Sequence, residues 1–251
     1  MSEQHSDSDP SIKVMLVGST QLPGKKFLEH CIEPIGKFLH GTRALFIPSF
    51  FEPGSQHNSN TVRETLARSG MNIYCHSDME TLKNWLEEAP AILIGGDDPF
   101  RVYMGLHQYE LDGLIHNRIV HDHIPCVFWG GATEIAGKSL TYSLKVNEQE
   151  RREIAGTGNK GVPTSHVIGG LGILQHQHIV LYSPQFSAVQ SSLISQLYNQ
   201  YPDSDDKNML LKLPADGIYH TLEKDGFVNI TPWPGDHPVL IPTDELLLSN
   251  Q

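Results

Sequence analysis

The chain predicts an α/β fold: three layers, with a mainly parallel sheet, helices on both of its faces, and a C-terminal antiparallel extension. Three observations predict it. Apolar runs of strand length alternate with segments of helical period, which is the pattern of strand–helix–strand units. After Met209 the pattern changes to short strands separated by turns. The length of 251 residues suits one such domain with a sizeable core.

The elements follow in order. Residues 1–11 are polar and acidic and read as a loose tail, leaving 12–251 as one domain. Val14–Val17 is the first strand, followed by a helical stretch with Phe27, Leu28, Cys31, Ile35, Phe38 and Leu39 in register. Ala44–Ile47 is the next strand. Thr61–Ser69 is a helix that stops at Gly70. Glu80–Glu88 and Arg101–Val120 are helices on either side of the strand Ala91–Ile94. Pro125–Trp129 and His178–Tyr182 are strands, and Ala188–Gln200 is a helix with Val189, Leu193, Ile194 and Leu197 on one face. Asn147–Pro163 is polar and glycine-containing, a long loop near the site. Leu210–Leu213, Gly217–Thr221 and Phe227–Ile230 form the antiparallel extension of the same sheet.

Composition narrows the function classes. With 18 basic and 29 acidic side chains, the net charge is -11, which disfavours nucleic acid or an anionic membrane as partner. No apolar run approaches the roughly 18 residues of a membrane span. Three scattered cysteines, Cys31, Cys75 and Cys126, lack metal-ligand spacing and fit free thiols in a reducing compartment. With a tail unlike a signal sequence, the expectation is a cytoplasmic protein without metal or cofactor.

The chemistry should gather at the carboxyl ends of the strands. Four segments meet there: Gly18-Ser19-Thr20, Gly95-Gly96-Asp97-Asp98, the turn after Trp129, and Ser183-Pro184-Gln185-Phe186. The stretch Ile124 to Thr133 reads as a buried strand, a very tight turn and a helix, the elbow by which α/β hydrolases expose a serine. Its apex here is Gly130, which has no nucleophile. The N–H groups of Gly95, Gly96 and Gly131 could serve as oxyanion donors; glycines after strands also simply permit turns. One of Asp97 and Asp98 should face the ligand, unless they cap the helix starting near Pro99.

Ser19-Thr20-Gln21-Leu22-Pro23-Gly24-Lys25 followed by Phe27-Leu28-Glu29-His30 resembles the opening of the peptidase E (aspartyl dipeptidase) family. That family lies in the class I glutamine amidotransferase-like superfamily. Phe46-Ile47-Pro48, Gly95-Gly96 with Phe100, the elbow, Pro184-Gln185-Phe186 and Leu213-Pro214 fall in family order, so the resemblance covers about residues 13–230. It implies cleavage of dipeptides with an N-terminal aspartate by an elbow serine and a later histidine. Those two positions map onto Gly130 and Gln185, and the family's asparagine falls at Asp98 or next to it. The third, acidic member lies in a divergent stretch around Lys145, and no residue is carried over for it. Nucleophile and base must lie within hydrogen-bond reach for serine catalysis, so the expectation is a protein without serine peptidase activity. It would keep a pocket for a small amino-acid-like or peptide-like ligand or for a partner protein, lined by Ser19, Thr20, Gly95, Gly96, Asp97, Asp98, Gly130, Gly131 and Gln185. The competing reading is an active dipeptidase or other amide-bond enzyme that uses unconventional groups.

Other motifs carry less. Cys126 lies within a strand and reads as core. Ser19 and Thr20 read as turn residues, for want of a base. His121/His123 and His176/His178 have His-x-His spacing that can suit a metal, but the first pair reads as a helix end and the second as the start of a strand. Ala132 to Ser139 satisfies a loose phosphate-loop pattern, yet Thr133–Ala136 reads as helix, where the chemistry asks for a loop. Gly18 to Lys26 has the wrong spacing and no Ser or Thr after the lysine.

Overall fold

The computed structural model of the chain describes residues 12–48, 59–140, 169–174, 178–182, 210–214, 216–224 and 227–232. The strands are β1 (Val14–Val17), β2 (Ala44–Ile47), β3 (Ile73–Tyr74), β4 (Ile92–Gly96), β5 (Cys126–Gly130), β6 (His178–Tyr182), β7 (Leu210–Pro214), β8 (Ile218–Lys224) and β9 (Phe227–Pro232). The helices are α1 (Ile32–Phe38), α2 (Ser59–Leu66), α3 (Met79–Glu88), α4 (Pro99–Gln108) and α5 (Asp112–Val120), with 3-10 turns at Ala67–Ser69 and Gly131–Ala136.

Seven strands form one sheet in the order β3-β2-β4-β5-β1-β8-β9. The first five run parallel; β8 and β9 join antiparallel beside β1. Residues alternate between the two faces along each strand, and both faces are buried. Met15, Val17, Phe46, Leu93, Val127 and Trp129 pack on Leu28, Ile35 and Leu39 around α1 and on Val62 and Leu66 of α2. On the other face Leu16, Ile47, Ile94 and Phe128 pack on Leu82 and Leu86 of α3, Leu106 of α4 and Ile115 and Ile119 of α5. Burial of both faces explains why the strand sequences are apolar throughout.

Most predicted elements stand where the pattern puts them, with differences. The first helix begins only at Ile32, because Phe27 to Cys31 lie in turns and Leu28 takes a left-handed φ of 55°. Arg101–Val120 is two helices: the chain breaks at Tyr109–Leu111, where Glu110 takes a left-handed φ of 56°. Strand β3 is only two residues long, too short for a periodicity to register. The segment 210–214 does not extend the main sheet; it pairs in parallel with β6 in a separate two-stranded sheet. The polar loop 147–163 and the helix 188–200 lie outside the described residues.

A half-buried cation ties the layer of α3 and α5 together. Arg118 Nε donates to the Leu86 carbonyl at 3.1 Å and Nη2 to the Ala89 carbonyl at 2.9 Å, while Nη1 meets Asp122 Oδ2 at 2.6 Å. The guanidinium thereby satisfies carbonyls at the end of α3 that the helix itself leaves without partners. No helix among the described residues is long and apolar enough to cross a membrane.

Candidate functional site

Parallel register brings the ends of β1, β4 and β5 together. Val17 and Gly95 both pair with Trp129, and Gly96 pairs with Gly130. Gly95 and Gly96 are therefore strand residues in the ladder. At Gly95 a packing demand selects glycine: a Cβ there would lie 1.9 Å from Trp129 Nε1. The buried indole stacks in turn on Phe46, with ring centroids 5.5 Å apart and planes 13° from parallel.

The elbow is formed. β5 ends at Gly130, whose φ of 62° and ψ of −144° only glycine adopts without strain, and the chain turns directly into the 3-10 helix Gly131–Ala136. The Thr133 hydroxyl donates to the Gly130 carbonyl at 2.9 Å and closes the turn. A Cβ on Gly130 would stand 2.8 Å from the Gly96 carbonyl oxygen, 3.5 Å from Asp97 Oδ1 and 3.5 Å from the Thr20 methyl. Real Cβ atoms essentially never come that close to a carbonyl. Gly131 is still tighter, since a Cβ there would meet the Asp97 carbonyl at 2.1 Å.

The two aspartates divide the work between them. Asp98 caps α4, accepting from the N–H groups of Phe100 at 3.0 Å and Arg101 at 3.2 Å, and its other oxygen lies 3.5 Å from Arg101 Nε. That is the capping role, so Asp98 leaves the set of residues predicted to face a ligand. Asp97 is exposed and holds its carboxylate beside the elbow.

On the β1 side, Ser19 closes a turn: its hydroxyl donates to the Gln21 carbonyl at 2.8 Å and accepts from the Gln21 N–H at 3.3 Å. The Leu28 N–H binds the Thr20 carbonyl at 2.7 Å and folds the following loop back on this edge. Sequence reasoning gave His30 no role, yet it lies against the Ser19 main chain. Burial pushes its pKa down and Lys25 adds to that, while the Ser19 backbone works in the opposite direction. Both ring nitrogens are shielded from solvent without a hydrogen bond of good geometry. Neighbouring turns, which no periodicity reports, bring this ring to the site.

The remaining candidates sit elsewhere. Glu134, in the 3-10 turn after the elbow, has a carboxylate oxygen 3.5 Å from the Leu181 nitrogen of β6. Thr133 to Ala136 is helical, with Ile135 and Ala136 buried, so the phosphate-loop pattern has no loop there. His121 follows the end of α5, and His178 is buried in β6 with Nδ1 3.3 Å from the Ser139 carbonyl. Among the described residues no cluster of three metal-ligating side chains occurs. Gln185 and His176 lie outside the described residues.

All three cysteines are free thiols. Burial pushes Cys31 up to about 12 and Cys126 well above the ordinary thiol range, so neither is a thiolate near neutral pH. Cys75 is half-buried, with Arg63 Nη2 3.6 Å from its sulfur. Ellman's reagent applied to the native protein should therefore label Cys75 alone, with Cys31 and Cys126 reacting only on unfolding. Release of three equivalents from the folded protein would contradict this placement of the thiols.

A mainly parallel sheet with helices on both faces, turning through a left-handed residue at the carboxyl end of β5, places the chain among α/β proteins built around a hydrolase-type elbow. The model for peptidase family S51 matches residues 14–214, and the chain belongs to that family. It is similar to a Drosophila melanogaster protein named a probable alpha-aspartyl dipeptidase, at 26% identity over 51% of this chain and 54% of that one. It is also similar to Haemophilus influenzae peptidase E, at 26% identity over 51% of this chain and 60% of the relative. Streptomyces coelicolor peptidase E matches at 28% identity over 51% and 53%. The chain thus spans about half the length of the curated relatives it matches. A Listeria monocytogenes structure that carries a provisional peptidase E label superposes with a TM-score of 0.59 over 88% of this chain and 98% of that one, at 11% identity. At that identity the likeness concerns the fold.

Proposed function

We propose that this chain is a peptidase E-like protein without serine peptidase activity that binds a small amino-acid-like or peptide-like ligand at the carboxyl edge of its sheet. One observation carries the reading. The elbow apex is a glycine in a left-handed conformation, with the Gly96 carbonyl 2.8 Å from the position a Cβ would take. A nucleophile needs a side chain and room for it, and this apex offers neither. The nearby alternatives are spoken for: the Ser19 hydroxyl is held in its turn, and Cys126 is a buried, protonated thiol inside β5. The peptidase names of the relatives describe those proteins; the two family positions at Gly130 and Gln185 argue against the same reaction here.

The test is turnover. Purified protein incubated with Asp-Leu and other Asp-X dipeptides should release no free amino acid above the buffer rate. Release that disappears on substitution of Asp97 or Thr20 would overturn the reading, because a contaminating peptidase would ignore those changes.

A further inference from the structure

We infer that the loop joining β1 to α1 is a proton-sensitive strap along one edge of the site: it is closed while His30 is neutral and loosens when the ring takes up a second proton. In treating this edge as part of a ligand site, the inference rests on the reading above. The loop is tied down at few points. The Leu28 N–H donates to the Thr20 carbonyl at 2.7 Å, and the Leu28 side chain is fully buried. The Thr20 methyl stands 3.5 Å from where a Cβ on Gly130 would lie, so the tie reaches the elbow itself. Leu28 also keeps a left-handed φ of 55°, a strained conformation for a bulky residue. The closed loop therefore works against its own backbone, and a further penalty loosens it.

Protonation of His30 supplies that penalty. Both of its ring nitrogens are shielded from solvent. A neutral imidazole has one N–H donor and the charged ring has two. The Ser19 main chain favours the charged form and can serve one donor, but burial opposes the charge more strongly and Lys25, on the same loop, repels it. Among the described residues no carboxylate answers the ring. The adjacent Glu29 is held by the Lys26 N–H at 2.8 Å, and its charge is met by Lys25, Lys26 and Arg68. The Cys31 thiol is turned to the Leu28 carbonyl. Burial thus holds the His30 pKa in the folded chain below the ordinary value of 6.5. The stabilisation that the neutral ring permits is complete above that ordinary value and is lost as the pH falls through it toward the folded value. The span that loosens includes Ser19 and Thr20, which makes closure of this edge depend on pH.

Amide exchange followed by NMR between about pH 7.5 and pH 5.5 tests this. After correction for intrinsic rates, protection of the Leu28 N–H should fall at least about three-fold over that range, while the Leu93 N–H in β4 stays unchanged. His30→Gln, which stays neutral and keeps a donor and an acceptor, should abolish the fall. The ring resonances of His30 in the native protein should titrate below the ordinary value, a result that needs no variant to fold. Titration of His30 at or above the ordinary value, constant protection of Leu28, an equal loss at Leu93, or a fall that persists in His30→Gln would each overturn the strap. None of those results touches the non-peptidase reading, which falls only to turnover of Asp-X dipeptides.

Discussion

Gly130→Ser should destabilise the fold by about 1–3 kcal/mol, the cost of holding a non-glycine residue in a sparsely populated backbone region. It should also restore no cleavage of Asp-X dipeptides. The backbone part follows from the φ of 62°. The packing part follows from the Gly96 carbonyl, which a new Cβ would approach to 2.8 Å. That oxygen belongs to the backbone of a buried central strand and cannot swing aside as a flexible side chain would. Gly130→Ala separates the two requirements, since it meets the same backbone and the same carbonyl without a hydroxyl. Both variants should therefore lose similar stability in urea titrations. A midpoint unchanged or raised in both would show that the turn relaxes and that the apex has room after all. The expected lack of cleavage has a second ground in the family resemblance, which sets Gln185 where the histidine base would stand; a glutamine cannot take a proton as a neutral imidazole can.

Gly95→Ala should cost as much or more, at the upper end of the roughly 1–3 kcal/mol typical of overpacked cores. The added methyl would fall within 1.9 Å of the Trp129 indole. The indole cannot retreat, because it is fully buried and stacked on Phe46. Trp129→Leu removes the obstacle at a large cost of its own, and on that background Gly95→Ala should cost little. The two substitutions should therefore be strongly non-additive, with a coupling of about 1–3 kcal/mol in a double-mutant cycle. Additive costs would mean that Gly95 is required for some reason other than the indole.

The contrast between these two glycines shows how far the sequence can be read. The strands β1, β2 and β6 have the bounds their apolar runs predict, because a buried strand must be apolar along its length whatever it pairs with. Pairing itself is not a local property. Nothing in Leu210–Leu213 says that it joins β6 instead of the main sheet. The break between α4 and α5 is equally hidden, since Tyr109, Glu110 and Leu111 include neither glycine nor proline, and Glu110 nevertheless takes a left-handed conformation. At the site, the elbow and its glycine apex were legible from small residues after an apolar strand. The reasons for the other glycines were not. Gly95 looked like a possible oxyanion donor, and its demand comes from a tryptophan on the neighbouring strand. Asp97 and Asp98 look interchangeable in sequence, but it is Asp98 that caps α4, through the N–H groups of Phe100 and Arg101.

The Arg118 guanidinium, fixed to the carbonyls of Leu86 and Ala89, has a mechanical consequence for the far end of the molecule. Ala89 stands just ahead of β4, so the point where that strand enters the sheet is anchored to α5. A strand can yield at one end only by sliding, and a slip of one residue moves it about 3.3 Å and turns every side chain to the opposite face. For β4 that would carry Leu93 and Ile94 out of two different cores at once. The wall of the site formed by Gly95 and Gly96 is therefore its stiff jaw. Under the proposed reading, an adjustment to a ligand would fall to the opposite jaw, the Ser19–Thr20 turn, whose hydrogen bonds lie within its own loop and are inexpensive to rearrange.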